Sequence, residues 1–328
     1  MVSTILPYLY FFANVVVQNL CYNPFIARLR EQMRYGTWTV TEQRTLSFFE
    51  ELRVEYEHMP PFSIEYKESD RPGVAVGHSH DTFELCLYLN ADMTMFVKDI
   101  NYSLVSGNLL LINPFDYHRV HHSGVQSPYR RYVLFFHESM VRGIFERFRQ
   151  ADLVERLKAL EYKKAVLSLG ELRELQQYCD VLLRYFKKEN MSALRRRGLI
   201  ECQLFLLLHM VEQLLSKQQP TEDLGKKELL VRELIRYIDS HEQITLDLLA
   251  EKFHLSKYYL SRTFHEVAGI SLWDYIQYSR VSRAQYLLRN TSDSIDSILF
   301  RCGFNNIQHF YKCFKKITGM TPGEFRKG

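Results

Sequence analysis

The sequence lacks the closely spaced cysteine pairs that build zinc fingers and redox centres. Its six cysteines are scattered over the 328 residues, at Cys21, Cys86, Cys179, Cys202, Cys302 and Cys313. Scattered cysteines are typical of proteins from a reducing compartment. We therefore expect a cytoplasmic protein.

Low-complexity segments are also absent, and neither sign of charge dominates. Hydrophobic residues make up 46% of the chain, and the formal net charge is +4. This composition excludes the disordered and fibrous classes. The length indicates two or three domains. Residues 226–328 contain 16 Lys and Arg against 11 Asp and Glu, so the basic surplus lies at the C-terminus and is compatible with nucleic-acid binding.

The uncharged stretch Ile5–Cys21 has no basic residue before it, and Pro7, Asn14 and Gln18 interrupt it. These features argue against a signal peptide and against a membrane span. We therefore expect no membrane partner, and we assign residues 1–60 to an uncertain N-terminal segment that is partly helical.

The C-terminal region contains an internal repeat with an offset of fifty residues. Seven positions of the first copy, Leu248, Leu249, Leu260, Phe264, Gly269, Ser271 and Tyr275, are matched by Ile298, Leu299, Phe310, Phe314, Gly319, Thr321 and Phe325. A repeat of this length indicates that one supersecondary unit occurs twice.

Each copy predicts two helices joined by a tight turn. In the first copy, Leu246–Phe253 has apolar residues at helical spacing, Ser256 is placed to cap the next helix, and Gly269 ends it. In the second copy, Ser294 is the predicted cap and Gly303 allows the turn. The repeat therefore predicts two helix-turn-helix units.

A third helical pattern, Leu272–Asn290, separates the two units. Nineteen residues of α-helix extend about 28 Å, close to one turn of B-form DNA, roughly 34 Å. Such a helix can place two recognition helices on the same side of a duplex. Its apolar residues, including Trp273, are expected to hold both units against it.

The outer faces of the two predicted recognition helices are polar. They comprise Lys257, Tyr258, Ser261, Arg262 and His265 in the first copy, and Ile307, Gln308, His309, Tyr311, Lys312, Lys315 and Lys316 in the second. Gln can bond to adenine edges, and Arg or Lys can bond to guanine or phosphate. Two matched polar faces predict sequence-specific binding to double-stranded DNA.

The stretch Arg280–Arg326 resembles the signature of the AraC/XylS-type transcriptional regulators, and the resemblance covers residues 228–328. It rests on Arg280, Ala284, Leu287, Leu288, Ile295, Ile298, Gly303, Phe304, Phe310, Phe314, Lys315, Lys316, Gly319, Thr321 and Pro322. Leu299 departs from the family, which usually has alanine there.

The resemblance implies which residues contact DNA. Bases are contacted by Tyr258, Ser261, Arg262, Ile307, Gln308, His309 and Lys312, with Lys257 on the same face, while Asn306 and Lys315 lie nearer phosphates. Apolar Ile307 can meet a thymine methyl group. The resemblance also implies a homodimer, a small-molecule effector and RNA polymerase as a further partner.

From residue 61 to residue 140 the pattern changes to strands. Phe83, Leu85 and Leu87 alternate with a period of two, and turn residues occur at Arg71–Gly73 and Ser106–Asn108. This segment resembles the cupin-like barrel that AraC-type regulators carry as a sensor.

Three histidines and one glutamate in this segment form a candidate pocket. His78, His80 and Glu84 share strand parity, and His118 follows in the manner of a second cupin motif. Because such residues can bind a first-row metal ion, they raise an alternative function, a metal-dependent cupin enzyme with an accessory nucleic-acid-binding module. We expect instead an effector pocket or a polar cluster with no metal, no cofactor and no catalysis, since a catalytic cupin does not need a duplicated DNA reader. A third alternative is a constitutive DNA binder whose barrel supports dimerisation.

These patterns predict an α+β protein with an N-terminal cupin-like β-barrel, following helices, and an all-α domain of two helix-turn-helix units joined by a linker helix. The sensor barrel is expected over 61–140 and the DNA-binding domain over 228–328. Apolar stripes at helical spacing predict a helical dimerisation layer over 141–219, and residues 220–227 are the expected linker.

Overall fold

The computed structural model describes residues 62–69, 77–123, 128–188, 191–218 and 225–327, with side chains omitted for 121–123. The expected segment 1–60, the expected turn Arg71–Gly73 and residues 220–224 of the expected linker lie outside the described residues.

Strands dominate the first part of the described chain. They are β1 (Phe62–Ser69), β2 (Thr82–Asn90), β3 (Asp92–Val97), β4 (Ile100–Val105), β5 (Asn108–Ile112), β6 (His118–Ser123), β7 (Tyr129–His137) and β8 (Lys164–Val166). They form two antiparallel sheets, one in the order β1-β7-β2-β5-β8 and one in the order β4-β3-β6.

Strand β2 is buried on both faces because each face packs against a different layer. Phe83 and Leu85 belong to the core shared with the helices that follow, whereas Cys86 and Tyr88 belong to a second core shared with residues of the smaller sheet. The predicted alternation of β2 is confirmed, because successive side chains of a strand point to opposite faces.

The mixed helix-and-sheet architecture expected from the sequence is confirmed. The described strands form two separate antiparallel sheets, and the closed cupin-like barrel is not confirmed.

Four helices follow or interrupt the last strands: α1 (Glu138–Arg147), α2 (Leu153–Ala159), α3 (Leu169–Phe186) and α4 (Ala193–Ser216). Ser168 caps α3 in a reciprocal arrangement with Glu171. Within the described residues, α4 alone is long and apolar enough to cross a membrane. Its apolar character is explained by packing, because residues such as Leu204, Leu207 and Leu208 are buried in the core shared with β2.

Seven helices make up residues 226–327: α5 (Lys226–Ser240), α6 (Leu246–Phe253), α7 (Lys257–Ala268), α8 (Leu272–Asn290), α9 (Ile295–Arg301), α10 (Ile307–Thr318) and α11 (Pro322–Lys327). The predicted bounds of α6 and α8 are confirmed to the residue, and the two helix-turn-helix units are α6–α7 and α9–α10. Ser256 and Ser294 cap α7 and α9 as predicted, and Gly269 ends α7 in the left-handed conformation.

Helix α8 packs against both units with most of the apolar residues predicted to do so. Ile276 lies in the core of the first unit, and Val281 and Leu288 lie in the core of the second. The prediction for Trp273 is wrong, because this side chain is 47% exposed. The neighbouring positions Leu272 and Ile276 already fill the side of α8 that faces the first unit.

Candidate nucleic-acid interface and histidine cluster

Helix α7 is held by a cap and a buried stripe that together turn its polar face outward. The Ser256 hydroxyl accepts a hydrogen bond from the Tyr259 backbone N–H at 3.2 Å, which satisfies one of the free donors at the helix start. Leu260 and Phe264 are buried beneath the helix. The opposite face is exposed, with Tyr258 at 74%.

Arg262 lies on this exposed face within a small charge network. Its Nε donates to Glu266 Oε1 at 2.9 Å, and Lys227 Nζ donates to Glu266 Oε2 at 2.5 Å. These two hydrogen bonds hold the pKa of Glu266 below its ordinary value. The guanidinium of Arg262 is thus positioned at the surface.

Helix α10 is capped and packed in the same way as α7, but by different residues. The Asn306 side chain accepts a hydrogen bond from the His309 backbone N–H at 2.9 Å, and Phe310 and Phe314 are buried beneath the helix. Ile307, the first residue of the helix, is 49% exposed. Unlike the predicted polar residues of this face, its side chain is entirely apolar.

Nine of the ten predicted DNA contacts are exposed: Lys257, Tyr258, Arg262, Asn306, Ile307, Gln308, His309, Lys312 and Lys315. Ser261 is half-buried. Two further exposed residues adjoin these faces and were missed: Tyr259 in α7 and Asn305 in the turn before α10. The three-residue spacing from Tyr259 to Arg262 was the available signal, since residues so spaced are neighbours on a helix surface.

One side chain of α8 links the two units. Arg280 Nη2 donates to the Ile244 carbonyl at 2.7 Å on the side of the first unit, and the Arg280 guanidinium lies 5.6 Å from the ring centroid of Phe304 in the second. The turn of the second unit also approaches the segment after α5, because a Cβ on Gly303 would lie 2.3 Å from the Glu242 carbonyl oxygen. These contacts fix both units to one rigid helix.

The structure brings together all four residues of the candidate pocket. His80 Nε2 lies 3.1 Å from Glu84 Oε2, His118 Nε2 lies 3.4 Å from the same oxygen, and the Nε2 atoms of His118 and His78 are 3.2 Å apart. Glu84 and His118 are buried, His80 is partly buried and His78 is exposed, so the cluster opens toward His78.

Backbone carbonyls orient two of these imidazoles. His80 Nδ1 lies 3.0 Å from the Thr82 carbonyl oxygen, and His118 Nδ1 lies 2.9 Å from that of Asp116. Burial acts to raise the pKa of Glu84, but hydrogen bonds with His118 and His80 outweigh burial and hold it well below its ordinary value.

Beside this cluster, the space between the two sheets contains polar groups without partners. The hydroxyls of Tyr88 and Tyr129 and the Nε of Arg131 are buried and have no hydrogen-bond partner within the described part of the chain. Burial raises the pKa of both phenols, so both hydroxyls keep their protons. Buried donors of this kind are costly unless something bonds to them.

The sheet region contacts the helical region through α5, where Arg232 Nε lies 3.2 Å from Asp99 Oδ2, through α8 and through the end of α7. Tyr278 of α8 donates from its hydroxyl to the Gly77 carbonyl at 3.1 Å, and the ring of Tyr117 lies 4.9 Å from that of Tyr278. Asn101 Nδ2 donates to the Val267 carbonyl at 3.1 Å. The candidate pocket and the linker helix are therefore close in space.

A cavity of about 220 Å³ lies at this junction, lined by residues that include Lys98, Asp116, Asp239 and Arg283. Burial raises the pKa of Asp116 to about 6, although Lys98, 3.9 Å away, acts in the opposite direction. Burial also raises the pKa of Asp239, which accepts a hydrogen bond from the Ser279 hydroxyl at 2.8 Å.

Sequence comparison places the helical region in a known class. A family model described as a helix-turn-helix domain matches residues 249–328. This range contains α7, α10 and the helix between them, so it covers both exposed polar faces.

Two relatives extend this result. The chain is 41% identical over 96 residues to the bifunctional transcriptional activator/DNA repair enzyme AdaA of Bacillus subtilis (strain 168), a match that covers 29% of this chain and 46% of that protein. It is 25% identical over 296 residues to the transcriptional activator RhaR of Mannheimia succiniciproducens, covering 90% of this chain and 96% of RhaR.

Among solved structures, the chain is similar to ToxT from Vibrio cholerae, with 14% identity, a TM-score of 0.35, and coverage of 82% of this chain and 98% of that one. It is also similar to the C-terminal domain of AraT from Geobacillus stearothermophilus, with 32% identity and a TM-score of 0.30, covering 32% of this chain and 88% of that domain.

Two helix-turn-helix units with exposed polar faces define a DNA-binding regulator. The sequence matches support the resemblance to the AraC/XylS-type transcriptional regulators: the helix-turn-helix model covers residues 249–328, and RhaR, which matches along most of both chains, is a transcriptional activator. The match to AdaA, which is also a DNA repair enzyme, covers 29% of this chain.

Proposed function

We propose that the chain activates transcription by binding specific DNA sites through α7 and α10, in response to a small-molecule effector held by the N-terminal region. One observation carries the proposal: both recognition helices present exposed polar faces, while a single helix, α8, packs against the hydrophobic cores of both units. The activator role is supported by the name of the relative RhaR.

We assign base contacts in the first unit to Tyr258, Ser261 and Arg262, with Lys257 beside them. In the second unit we assign base contacts to Ile307, Gln308, His309 and Lys312, and phosphate contacts to Asn306 and Lys315. The exposure of nine of these ten side chains supports the assignment. Because Asn306 already accepts the His309 N–H, its amide group remains the donor toward phosphate.

The effector pocket is proposed in the N-terminal region, which we take to be a cupin-like barrel over residues 61–140. The unpartnered hydroxyls of Tyr88 and Tyr129 and the Nε of Arg131 support a polar or anionic effector. The cluster of His78, His80, Glu84 and His118 adjoins this space, because Cys86 Sγ lies 3.2 Å from Glu84 Oε1.

The remaining assignments concern assembly and location. We take residues 141–219 as a helical dimerisation layer, 220–227 as a linker and 228–328 as the DNA-binding domain. A homodimer in the cytoplasm would bind two half-sites, and as an activator it would contact RNA polymerase. The exposed apolar side chains of α4, Leu194 and Leu206, support self-association through this helix.

The test is selection of genomic DNA fragments by the purified full-length chain, followed by affinity measurements on the selected fragments. Arg262→Ala is expected to weaken binding by on the order of 1–3 kcal/mol and to relax preference at one base pair. Arg130→Ala is the matched control, because Arg130 is exposed on β7, outside the proposed dimerisation layer and far along the chain from both units.

Unchanged affinity and preference in Arg262→Ala would remove Arg262 from the interface, and selection of no fragments would reject specific DNA binding. Repeating the selection with candidate metabolites separates an effector-responsive regulator from a constitutive DNA binder. Only the responsive regulator changes its affinity when a metabolite is added.

A further inference from the structure

Three of the six distances between potential ligand atoms in the histidine cluster are close to those between ligands around one ion. A tetrahedral ion with bonds of 2.0–2.1 Å holds its ligand atoms about 3.3–3.4 Å apart. The Nε2 atoms of His78 and His118 are 3.2 Å apart, and Glu84 Oε2 lies 3.4 Å from His118 Nε2 and 3.1 Å from His80 Nε2. Ligand atoms of all three histidines lie within 4.8 Å of one another.

The hydrogen-bond partners of the imidazole Nδ1 atoms also support an ion site. A carbonyl oxygen can only accept, so His118 Nδ1, 2.9 Å from the Asp116 carbonyl, is oriented as a donor, while His80 Nδ1 lies 3.0 Å from both the carbonyl and the hydroxyl of Thr82. The Nε2 atom of His118, on the opposite side of the ring, lies 3.4 Å from Glu84 Oε2. A histidine that donates its other N–H to a backbone carbonyl while Nε2 faces the ion is the usual arrangement in metal sites.

We propose that His78, His80, His118 and Glu84 bind one divalent transition-metal ion, with Zn²⁺ best fitting the ligands and spacing, and that this ion controls DNA binding through α8. The proposal replaces the expectation from sequence that the cluster holds no metal. It rests on the proposed DNA-binding function and adds a metal ion as a second signal beside the effector proposed for the N-terminal region. Three imidazoles and a carboxylate suit zinc among the first-row ions.

The route to α8 is short because two ligands directly follow residues that contact this helix. Gly77 precedes His78, and its carbonyl accepts the Tyr278 hydroxyl. Tyr117 precedes His118, and its ring packs on Tyr278. The backbones of His78 and His118 exchange two hydrogen bonds of 3.1 and 2.9 Å. An ion that joins the two histidines therefore also fixes the surface on which Tyr278 rests.

The packing at this surface leaves no free space between Gly77 and the Tyr117 ring. A Cβ placed on Gly77 would lie 1.8 Å from the Tyr117 hydroxyl oxygen, so the Tyr117 ring lies directly against the Gly77 backbone. Close-packed interiors transmit small displacements instead of absorbing them. A shift of either strand segment when the ion leaves must therefore move the Tyr117 ring and its contact with α8.

The direction of the effect follows from the exposed recognition faces. In the structure, with the sheet region docked on α8, Tyr258, Arg262 and Lys312 remain exposed. An ion that stabilises this arrangement stabilises a state with accessible DNA contacts. By linkage, the ion then raises DNA affinity, and couplings of this kind typically amount to about 5- to 150-fold.

The first experiment measures metal binding by the full-length chain, stripped with a chelator and titrated with Zn²⁺ against a competing indicator. We expect one tightly bound ion per chain by elemental analysis, and its loss in His80→Ala and in Glu84→Gln. His137→Ala is the control, because His137 lies on β7 outside the cluster. A chain that binds no stoichiometric ion, or binds it equally well as His80→Ala, would show that the cluster is a proton-sharing polar site and overturn the proposal.

The second experiment measures coupling without DNA, by hydrogen exchange of residues 272–290 with and without Zn²⁺. We expect slower exchange in α8 of the wild-type chain when the ion is bound, and no response in His80→Ala. Tyr278→Phe, which removes only the hydroxyl that bonds to Gly77, should bind the ion with wild-type affinity but show a smaller response in α8.

The third experiment measures affinity for selected genomic fragments with and without Zn²⁺. The ion should tighten binding by the wild-type chain about 5- to 150-fold, tighten binding by Tyr278→Phe less, and leave His80→Ala unaffected. An ion that binds but changes neither α8 exchange nor DNA affinity would be structural and would overturn the coupling, as would weaker DNA binding with the ion. Absence of DNA binding in both conditions would reject the proposed function, while the first two experiments would still decide the metal site.

Discussion

Two glycines of the helical region adopt the same backbone conformation in different surroundings. Gly303 has φ +81° and Gly319 has φ +79°, both in the left-handed region. A Cβ on Gly303 would lie 2.3 Å from the Glu242 carbonyl oxygen, whereas a Cβ on Gly319 would meet nothing within 4 Å. The pair therefore separates backbone strain from steric contact.

We expect Gly319→Ala to lower the free energy of unfolding by about 1–2 kcal/mol, the usual cost of a left-handed L-residue. Gly303→Ala should cost clearly more, because the backbone near Glu242 must also move. Chemical denaturation of both variants measures the difference. Equal losses would show that the approach of this turn to Glu242 contributes nothing to stability.

Lys163 is a buried lysine whose ammonium has no carboxylate within salt-bridge distance among the described residues. Its Nζ donates to the Leu157 carbonyl at 2.5 Å, the Lys158 carbonyl at 3.1 Å and Asn113 Oδ1 at 3.2 Å. Burial lowers the pKa of Lys163 to about 8, while Asp116 acts in the opposite direction. The folded state therefore holds this proton less tightly than the unfolded state.

Between about pH 8 and the ordinary lysine pKa near 10.4, the unfolded chain binds more protons at this position than the folded chain. The contribution of Lys163 to stability must therefore rise with pH across this window, by on the order of 1–3 kcal/mol. Unfolding of the wild-type chain and Lys163→Met at pH 7.5 and pH 10 measures the effect, since the difference between the two chains isolates Lys163. A wild-type advantage that is constant or falls with pH would contradict the prediction.

At the residue scale, the sequence predicted exposed faces better than polar clusters. The polar face around Arg262 follows from a helical period, because the buried stripe of Leu260 and Phe264 fixes which side faces out. The unpartnered Nε of Arg131 and hydroxyl of Tyr129 between the sheets could not be predicted, because their environment depends on strands distant in sequence. The histidine cluster lies between these cases: strand parity placed three of its residues on one face, and the pairing of His78 with His118 completed it.

At the scale of elements, helices with clear caps were predicted to within a residue or two. Helices α6 and α8 match the predicted bounds, since Thr245 and Ser271 cap them. The strands were predicted only as a region, and β8 lies among helices, where a three-residue strand has no periodic signal.

Helix α4 is the element to which we assign the dimer contact. Gly198, Cys202 and Leu206 are exposed and spaced by four residues, so they lie along one side of the helix. Leu206 is 48% exposed. This outward line contains no charge, which is the composition expected of a surface that another copy covers.

We expect Leu206→Glu to shift the chain from dimer to monomer, because a dimer would bring two added carboxylates together in an apolar contact. Sedimentation velocity over a range of concentrations measures the shift. Leu169→Glu is the control, since Leu169 is an exposed leucine at the start of α3. Cys202 adds an independent readout, because thiol cross-linkers should join two wild-type chains. A monomeric wild-type chain, or a dimer that survives Leu206→Glu, would reject this surface.

At the scale of the whole molecule, the sequence predicted the order of the regions along the chain but not the contacts between them. The sheet order and the docking of the sheets on α8 depend on contacts between residues far apart, such as Asn101 with Val267 and Gly77 with Tyr278. No periodicity in either segment encodes its partner. The repeat, in contrast, was visible because both copies need the same buried residues.

The two copies are no longer equivalent, and the difference lies in their turns. The first unit enters its turn through His254, an exposed residue at φ +54°, and Ser256 caps the next helix two residues later. The second unit enters through Gly303, and Asn306 caps the next helix three residues later. Because the copies keep an offset of fifty residues on both sides of the turn, a chimera with the first turn in the second position would put Phe253 in place of Gly303, where a Cβ would lie 2.3 Å from the Glu242 carbonyl oxygen. The two helix-turn-helix units therefore cannot be interchanged. Redesign of the DNA sequence that they recognise must instead change surface side chains within each unit.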